Sequence, residues 1–255
     1  MAYTWKTEGF ILKRTAFKEA DRIVTLYTKD SGKISVQATG IRKITSKLAG
    51  HCEPFMYSRF FIARGKTFDR LAGSLTHKAY PLLRSSYEHI SVAKKMTHSI
   101  DMFTKEGQHD DAVFQALENG FDFLNQIQQS RGRLWLYFHA WQWKLFDILG
   151  IKPQLDECVV GRHAITGTVF FDVHNGGTAC QEHHHPAFSL TLNPTSFELL
   201  KKSLQFDFQA LSQEAATKTE WQTYASVIRA FYDYHAPRRS APQATHTTIT
   251  VGAKK

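Results

Sequence analysis

The spacing of apolar residues changes once along this 255-residue chain, at Pro81, and that change restricts the fold more than any single motif. Up to residue 80 the period is two. In "DRIVTLYTKDSGKISVQATG", Ile23, Thr25 and Tyr27 alternate with Val24, Leu26 and Thr28. "KDSGK" supplies turn residues, and Ile34, Val36 and Ala38 alternate on the way back. That pattern is a β-hairpin. "EGFILKRTAF" ahead of it, and "PFMYSRFFIARG" and "KTFDRLAGSLTHKA" behind it, bring the total to five strands. Beyond Pro81 apolar residues recur at three and four, in "PLLRSSYEHISVAKKMTHSIDMF", "DDAVFQALENGFDFLNQI" and "RLWLYFHAWQWKLFDILG". These are amphipathic helices. The third is apolar nearly all round, which makes it the central helix of its half, and Gly150 with "IKP" ends it. Asn193 and Pro194 open a later helix as N-cap and first helical residue, and "EWQTYASVIRAFYDYH" is the last.

Strands first and helices afterwards give an α+β chain. Five strands with a long third connection, "GIRKITSKLAG", suit a Greek-key barrel, of which the OB-fold is the commonest five-stranded form. The expected organisation is an OB-fold barrel over residues 1–80 and an α-helical domain over 81–236. A polar, aperiodic stretch over 237–255 reads as a disordered basic tail. There is no internal repeat. No apolar run approaches 18 residues, so no membrane span is expected. "MAYTWKTEGF" has no basic region followed by an apolar core, so no signal peptide is expected. Three cysteines at irregular spacing are not a disulfide framework and fit a reducing, cytoplasmic setting.

Charge is divided as sharply as periodicity. Residues 1–80 hold 15 Lys and Arg against 6 Asp and Glu, whereas residues 81–255 hold 17 of each. One end of the molecule attracts polyanions, the footprint of a nucleic-acid-binding module joined to something else. Catalytic motifs are missing: there is no Walker-type Gly-rich loop, no Gly-x-Ser-x-Gly and no carboxylate cluster of the nuclease kind. The chain is not expected to be an enzyme.

The order of parts carries a resemblance. A barrel containing "GFILKRTAFKEADRIVTLYTKDSGKISVQATGIRK" is followed by helices, "LFDILGIKPQLDECVVG", then "GG" and a Cys, then "IRAFYDYH". This is similar to the RecO family of bacterial recombination mediators and DNA repair proteins, up to about residue 240. The resemblance implies binding of single- and double-stranded DNA and annealing of complementary strands coated with single-strand binding protein, SSB. With RecR it implies loading of RecA onto SSB-coated gaps. It also implies a cytoplasmic, nucleoid-associated protein.

An OB barrel binds strands through one face and its loops, using cations for phosphate and flat side chains for bases. The candidates are Lys13 and Arg14 on the first strand, Lys33 at the hairpin, and Arg42, Lys43 and Lys47 on the long loop. Arg64, Lys66 and Arg70 lie on the last hairpin, and Phe17, Tyr57 and Phe68 are candidate stacking rings. No recognition helix for sequence readout is evident. The family resemblance further implies that the helical region takes the acidic, Phe-ended tail of SSB. Such a tail needs an apolar hole with a cation beside it. Arg131, Arg133, His139 and Lys144 border the apolar helix, and Trp141 and Trp143 are candidate pocket walls. Family members often carry Arg just before this apolar run, where this chain has His139 and Ala140.

Many relatives have a four-cysteine zinc knuckle near "CVVGRHAITGTVFFDVHNGGTACQEHHH", which makes this stretch a zinc-knuckle-like insertion over 158–185. Here Cys158 and Cys180 keep the first and third positions, Gly161 falls on the second and His183 on the fourth. Zinc takes four tetrahedral thiolate or imidazole ligands. Three are in register, and His163 fills the vacancy if the turn is looser. The alternatives are one structural zinc, or a degenerate knuckle that folds without metal. "FFDVHNGG" between the cysteines reads as a short hairpin in either case. Two rival functions remain open: a zinc-dependent hydrolase using Cys158, Cys180 and His183, and an RNA-binding OB protein.

Overall fold

The structure, a computed structural model, describes residues 4–65, 67–127, 131–205 and 208–237. Lys66 and residues 238–255, which include most of the expected tail, lie outside the described residues.

The period-two half forms five strands: β1 (Thr4–Phe17), β2 (Asp21–Thr28), β3 (Gly32–Ala38), β4 (Tyr57–Ala63) and β5 (Asp69–Lys78). They close into a barrel in the order β1-β2-β3-β5-β4. The long β1 serves two neighbours, pairing β4 from Thr4↔Ala63 to Phe10↔Tyr57 and β2 from Gly9↔Thr28 to Phe17↔Asp21. A short parallel match of β3 with β5, Val36↔Asp69 and Gln37↔Arg70, completes the ring. Alternation puts Ile11, Val24, Leu26, Val36, Phe60 and Ile62 inside the barrel, with Cys52 beside them. Burial pushes the Cys52 thiol up to about 11, so it is a packing group.

The opposite face of β1 is equally apolar because it meets the helices. Phe10 and Leu12 join Tyr27, Phe55 and Tyr80 in a core shared with α1 (Tyr87–Phe103), α2 (Asp111–Leu124) and α3 (Arg131–Ile148). Phe121 stands edge-on to Phe10, Phe55 and Tyr80, with centroids 5.5, 6.0 and 5.6 Å away. Each such pair adds about 0.5–1.5 kcal/mol beyond burial.

α3 explains its own uniform hydrophobicity. Leu134, Phe138, Trp141 and Leu145 face that shared core. Leu136, Ala140, Trp143 and Phe146 face a second core made with α4 (Pro194–Gln205), α6 (Lys218–His235) and a small sheet. Local chemistry starts the helices. The Asp110 carboxylate accepts from the Ala112 and Val113 amides, Asn193 Oδ1 accepts from Ser196 N at 2.8 Å, and Thr217 with Glu220 forms a capping box.

The small sheet has the order β7-β6-β8, from β6 (Val169–Asp172), β7 (Gly177–Ala179) and β8 (Ser189–Leu192). β6 and β7 are the expected hairpin. β8 and the five-residue α5 (Phe208–Ser212) carry too few residues to show a period and are held by tertiary packing. Among the described residues no helix is long and apolar enough to cross a membrane.

The β2–β3 turn docks on the connection between α1 and α2. Gly32 has φ +62°, and a Cβ there would lie 1.8 Å from Gln108 O. Gly107 N donates to Lys33 O at 2.8 Å. Lys33 Nζ donates to the Asp101 and Thr104 carbonyls at 2.6 and 2.5 Å, placing a cation on the last turn of α1.

Candidate functional site

The cysteine-histidine stretch folds into a four-donor cluster. One ligand atom each from Cys158, His163, Cys180 and His183 lies within 4.8 Å of all the others. His183 Nδ1 is 3.2 Å from Cys180 Sγ and 3.7 Å from Cys158 Sγ, and His163 Nε2 is 3.8 Å from Cys180 Sγ. The turn that achieves this has Arg162 at φ 53°, with Arg162 N donating to Cys158 O and Cys158 N donating to His163 O. It swings His163 back over Gly161. A Cβ on Gly161 would lie 2.6 Å from the rings of both His163 and His183, so the missing side chain at 161 is what admits the imidazoles. His163 Nδ1 lies 3.0 Å from Ala164 O; a proton shared there leaves Nε2 as the free donor atom. At Cys158 burial works against the thiolate, but amide N–H groups from Gly161, Cys180 and Val160 outweigh it and lower the thiol to about 6. Two thiols and two imidazoles this close together are a donor set that fits a structural zinc ion, which takes four such ligands.

Three connections meet at one end of the barrel. Arg42 N donates to Ala20 O, Arg42 Nη1 to Glu19 O at 2.9 Å, and Gly40 N to Asp21 Oδ1 at 2.7 Å, which pins the long loop on the β1–β2 turn. Phe68, between β4 and β5, meets Phe17 edge-on at 5.8 Å, and Lys18 sits 5.4 Å from the Phe17 centroid. Arg42, Lys43, Lys47, Arg64 and Arg70 are exposed on these segments, and none is in an ion pair among the described residues. The same rim carries Ile44, fully exposed, and Lys18, both overlooked by a reading that searched only for clustered charge.

The remaining sequence candidates lie elsewhere. Lys13 pairs with Asp101 at 2.6 Å, Arg14 grips Glu53 through two bonds of 2.7 and 2.9 Å, and Lys33 caps α1. These three cations hold the chain together. Tyr57 is not a stacking platform: its hydroxyl donates to Glu8 at 2.7 Å and its ring packs 5.1 Å from Phe10.

A cavity of about 1060 Å³ opens between α1, α3 and α6. Trp135 and Trp221 line it, with Lys95, Arg131, Arg133, Lys218 and Arg229 around them. The candidate pocket walls Trp141 and Trp143 do not line it. Trp141 is buried with Nε1 donating to Ala116 O, and Trp143 is buried in the second core, because their positions on α3 point at the two cores. Lys144 is not among the lining residues and lies 3.9 Å from Asp147. His139 does line the cavity, but its Nδ1 is shut from solvent, and desolvation lowers its pKa to about 4. It is a neutral wall at neutral pH, and the charge comes from Lys95 and the arginines.

A closed barrel of this strand order with cations and rings on its rim, continued by helices, defines an OB-fold protein with an appended helical domain. Residues 1–80 match the family model described as "Recombination protein O N terminal" and residues 84–242 the one described as "Recombination protein O C terminal". The chain belongs to the RecO family of DNA repair proteins. It is similar to the DNA repair protein RecO of Pelotomaculum thermopropionicum, at 27% identity over 92% of this chain and 90% of that one. The RecO proteins of Dehalococcoides mccartyi, at 30% over 78% of each chain, and Bacillus pumilus, at 28% over 91% and 89%, are also similar.

Proposed function

We propose that this chain is a recombination mediator that binds single- and double-stranded DNA, anneals complementary SSB-coated strands and, with RecR, promotes RecA loading, without catalysing a covalent step. The observation that carries this reading is the barrel rim, where cations in no ion pair among the described residues surround the exposed ring of Phe68 and the half-buried ring of Phe17. Cations there neutralise phosphate, rings accept a stacked base, and base edges stay free to pair. In this reading residues 1–80 hold DNA and residues 81–236 hold partners. The acidic, Phe-ended SSB tail enters the cavity beside Trp135 and Trp221, its ring among the apolar walls and its carboxylates on Arg131, Arg133 and Lys95. Cys158, His163, Cys180 and His183 hold one zinc ion, which would supply only a structural crosslink, since the fourth protein donor takes the position a zinc hydrolase gives to water.

The test is annealing of SSB-coated complementary DNA by purified protein without ATP. A clear acceleration is expected, and rates equal to the protein-free control refute the reading. Competition between single-stranded DNA and RNA of equal length separates it from an RNA-binding role, with DNA expected to win.

A further inference from the structure

A second basic track lies away from the rim. A groove of about 420 Å³ runs between β1, β2 and α1 on a floor of Leu12, Pro54 and Phe55. Lys13, Arg14, Arg22 and Lys94 stand on its walls. Two carboxylates answer them: Asp101 lies 2.6 Å from Lys13 and 3.5 Å from Lys33, and Glu53 is clasped by Arg14. Four wall cations against these two carboxylates leave the groove positive. Arg22 and Lys94 are in no ion pair among the described residues, and Lys94 is exposed. Lys94, Thr97, His98 and Asp101 follow the i, i+3, i+4, i+7 pattern, so a single face of α1 forms one wall. Arg22 follows the β1–β2 turn by two residues, so the groove opens beside the rim.

We propose that this groove holds the phosphodiester backbone of a second nucleic-acid strand while the rim holds the first. The inference rests on the DNA-binding reading above. Two strands repel each other until both are neutralised, and a cation's field is screened out over about 8–10 Å, so each strand needs its own cations close by. The apolar floor offers no donors to base edges, so contacts fall on phosphate and the bases stay available.

The experiment uses the full chain carrying Arg22→Ala and Lys94→Ala together, with Lys94→Arg as a charge-retaining control and Lys43→Ala with Arg64→Ala as the rim comparison. Binding of a short fluorescent oligodeoxythymidine is read by anisotropy, and annealing of two complementary oligonucleotides by strand pairing. The groove variant should keep oligodeoxythymidine affinity within twofold yet anneal at least fivefold more slowly. The salt slope of its annealing should fall by about 0.7 per lost phosphate contact, the single-strand value. The Lys94→Arg protein should anneal normally, and the rim variant should lose oligodeoxythymidine binding. Unchanged annealing overturns the proposal. So does loss of oligodeoxythymidine binding equal to the rim variant's, which would make groove and rim one track. So does intact annealing with weakened binding of an acidic Phe-ended peptide, which would make the groove a partner site. A wild-type chain that binds no DNA removes the underlying functional reading, whereas failure of the groove alone appears with wild-type binding intact.

Discussion

Gly161→Ala should strip the metal cluster of its imidazoles. Gly161 has no positive φ, so alanine fits its backbone and only space is tested. The added Cβ would stand 2.6 Å from His163 Cδ2 and Nε2 and from His183 Cε1. Carbon contacts settle at about 3.5–4.0 Å, so both rings must retreat by about 1 Å. A zinc–nitrogen bond of about 2.0–2.1 Å tolerates a change of about 0.2 Å, so the rings cannot retreat and still bind. Zinc affinity should fall at least hundredfold, about 2.8 kcal/mol, at about 1.4 kcal/mol per tenfold. The assay is competition against a chromophoric zinc chelator, with His163→Ala as comparator. A Gly161→Ala protein that holds zinc within threefold of its parent refutes the reasoning, as does a parent that takes up none.

Three further outcomes are expected. Lys43→Ala and Arg64→Ala should each lower the salt slope of DNA binding by about 0.9 with no change in sequence preference; an unchanged slope means that side chain touches no phosphate. Trp221→Ala should weaken binding of an acidic Phe-ended peptide at least tenfold and leave DNA affinity within twofold, and equal losses of both would show a folding defect rather than a lost pocket wall. Burial keeps His139 neutral down to about 4, whereas in the unfolded chain histidine titrates near 6.5. The unfolded state therefore takes the proton first, so this contribution to stability is whole above about 6.5 and is lost at up to about 1.4 kcal/mol per pH unit towards 4. Urea melts at pH 7 and pH 5 should show that slope shrinking in His139→Gln, and an unchanged slope would place its origin elsewhere.

What the sequence shows of this fold follows the reach of each interaction. The β2–β3 hairpin and the Asn193 cap are decided by residues a few positions apart, and both are legible. The carboxylates and carbonyls that claim Lys13, Arg14 and Lys33 stand 88, 39 and 68 residues away, so these lysines and arginines look as available as Lys43 in the linear chain. α3 hides its faces because it is apolar on both. Nothing in "RLWLYFHAWQWKLF" tells Trp135, which borders a cavity, from Trp141 and Trp143, which do not. In the metal cluster spacing alone leaves a vacancy at Gly161. The left-handed turn at Arg162 that brings His163 into it is visible only in three dimensions.

The docking of Gly32 and Lys33 on the α1–α2 region makes the molecule a stiff bracket. One arm is the barrel and the other is the helical bundle, and the weld is a turn so close to Gln108 that even a methyl group is shut out. Motion of the barrel is then passed to α1 instead of being absorbed at a swivel. α1 also walls both the groove and the tryptophan-lined cavity, so the two openings are held at a fixed spacing across one helix.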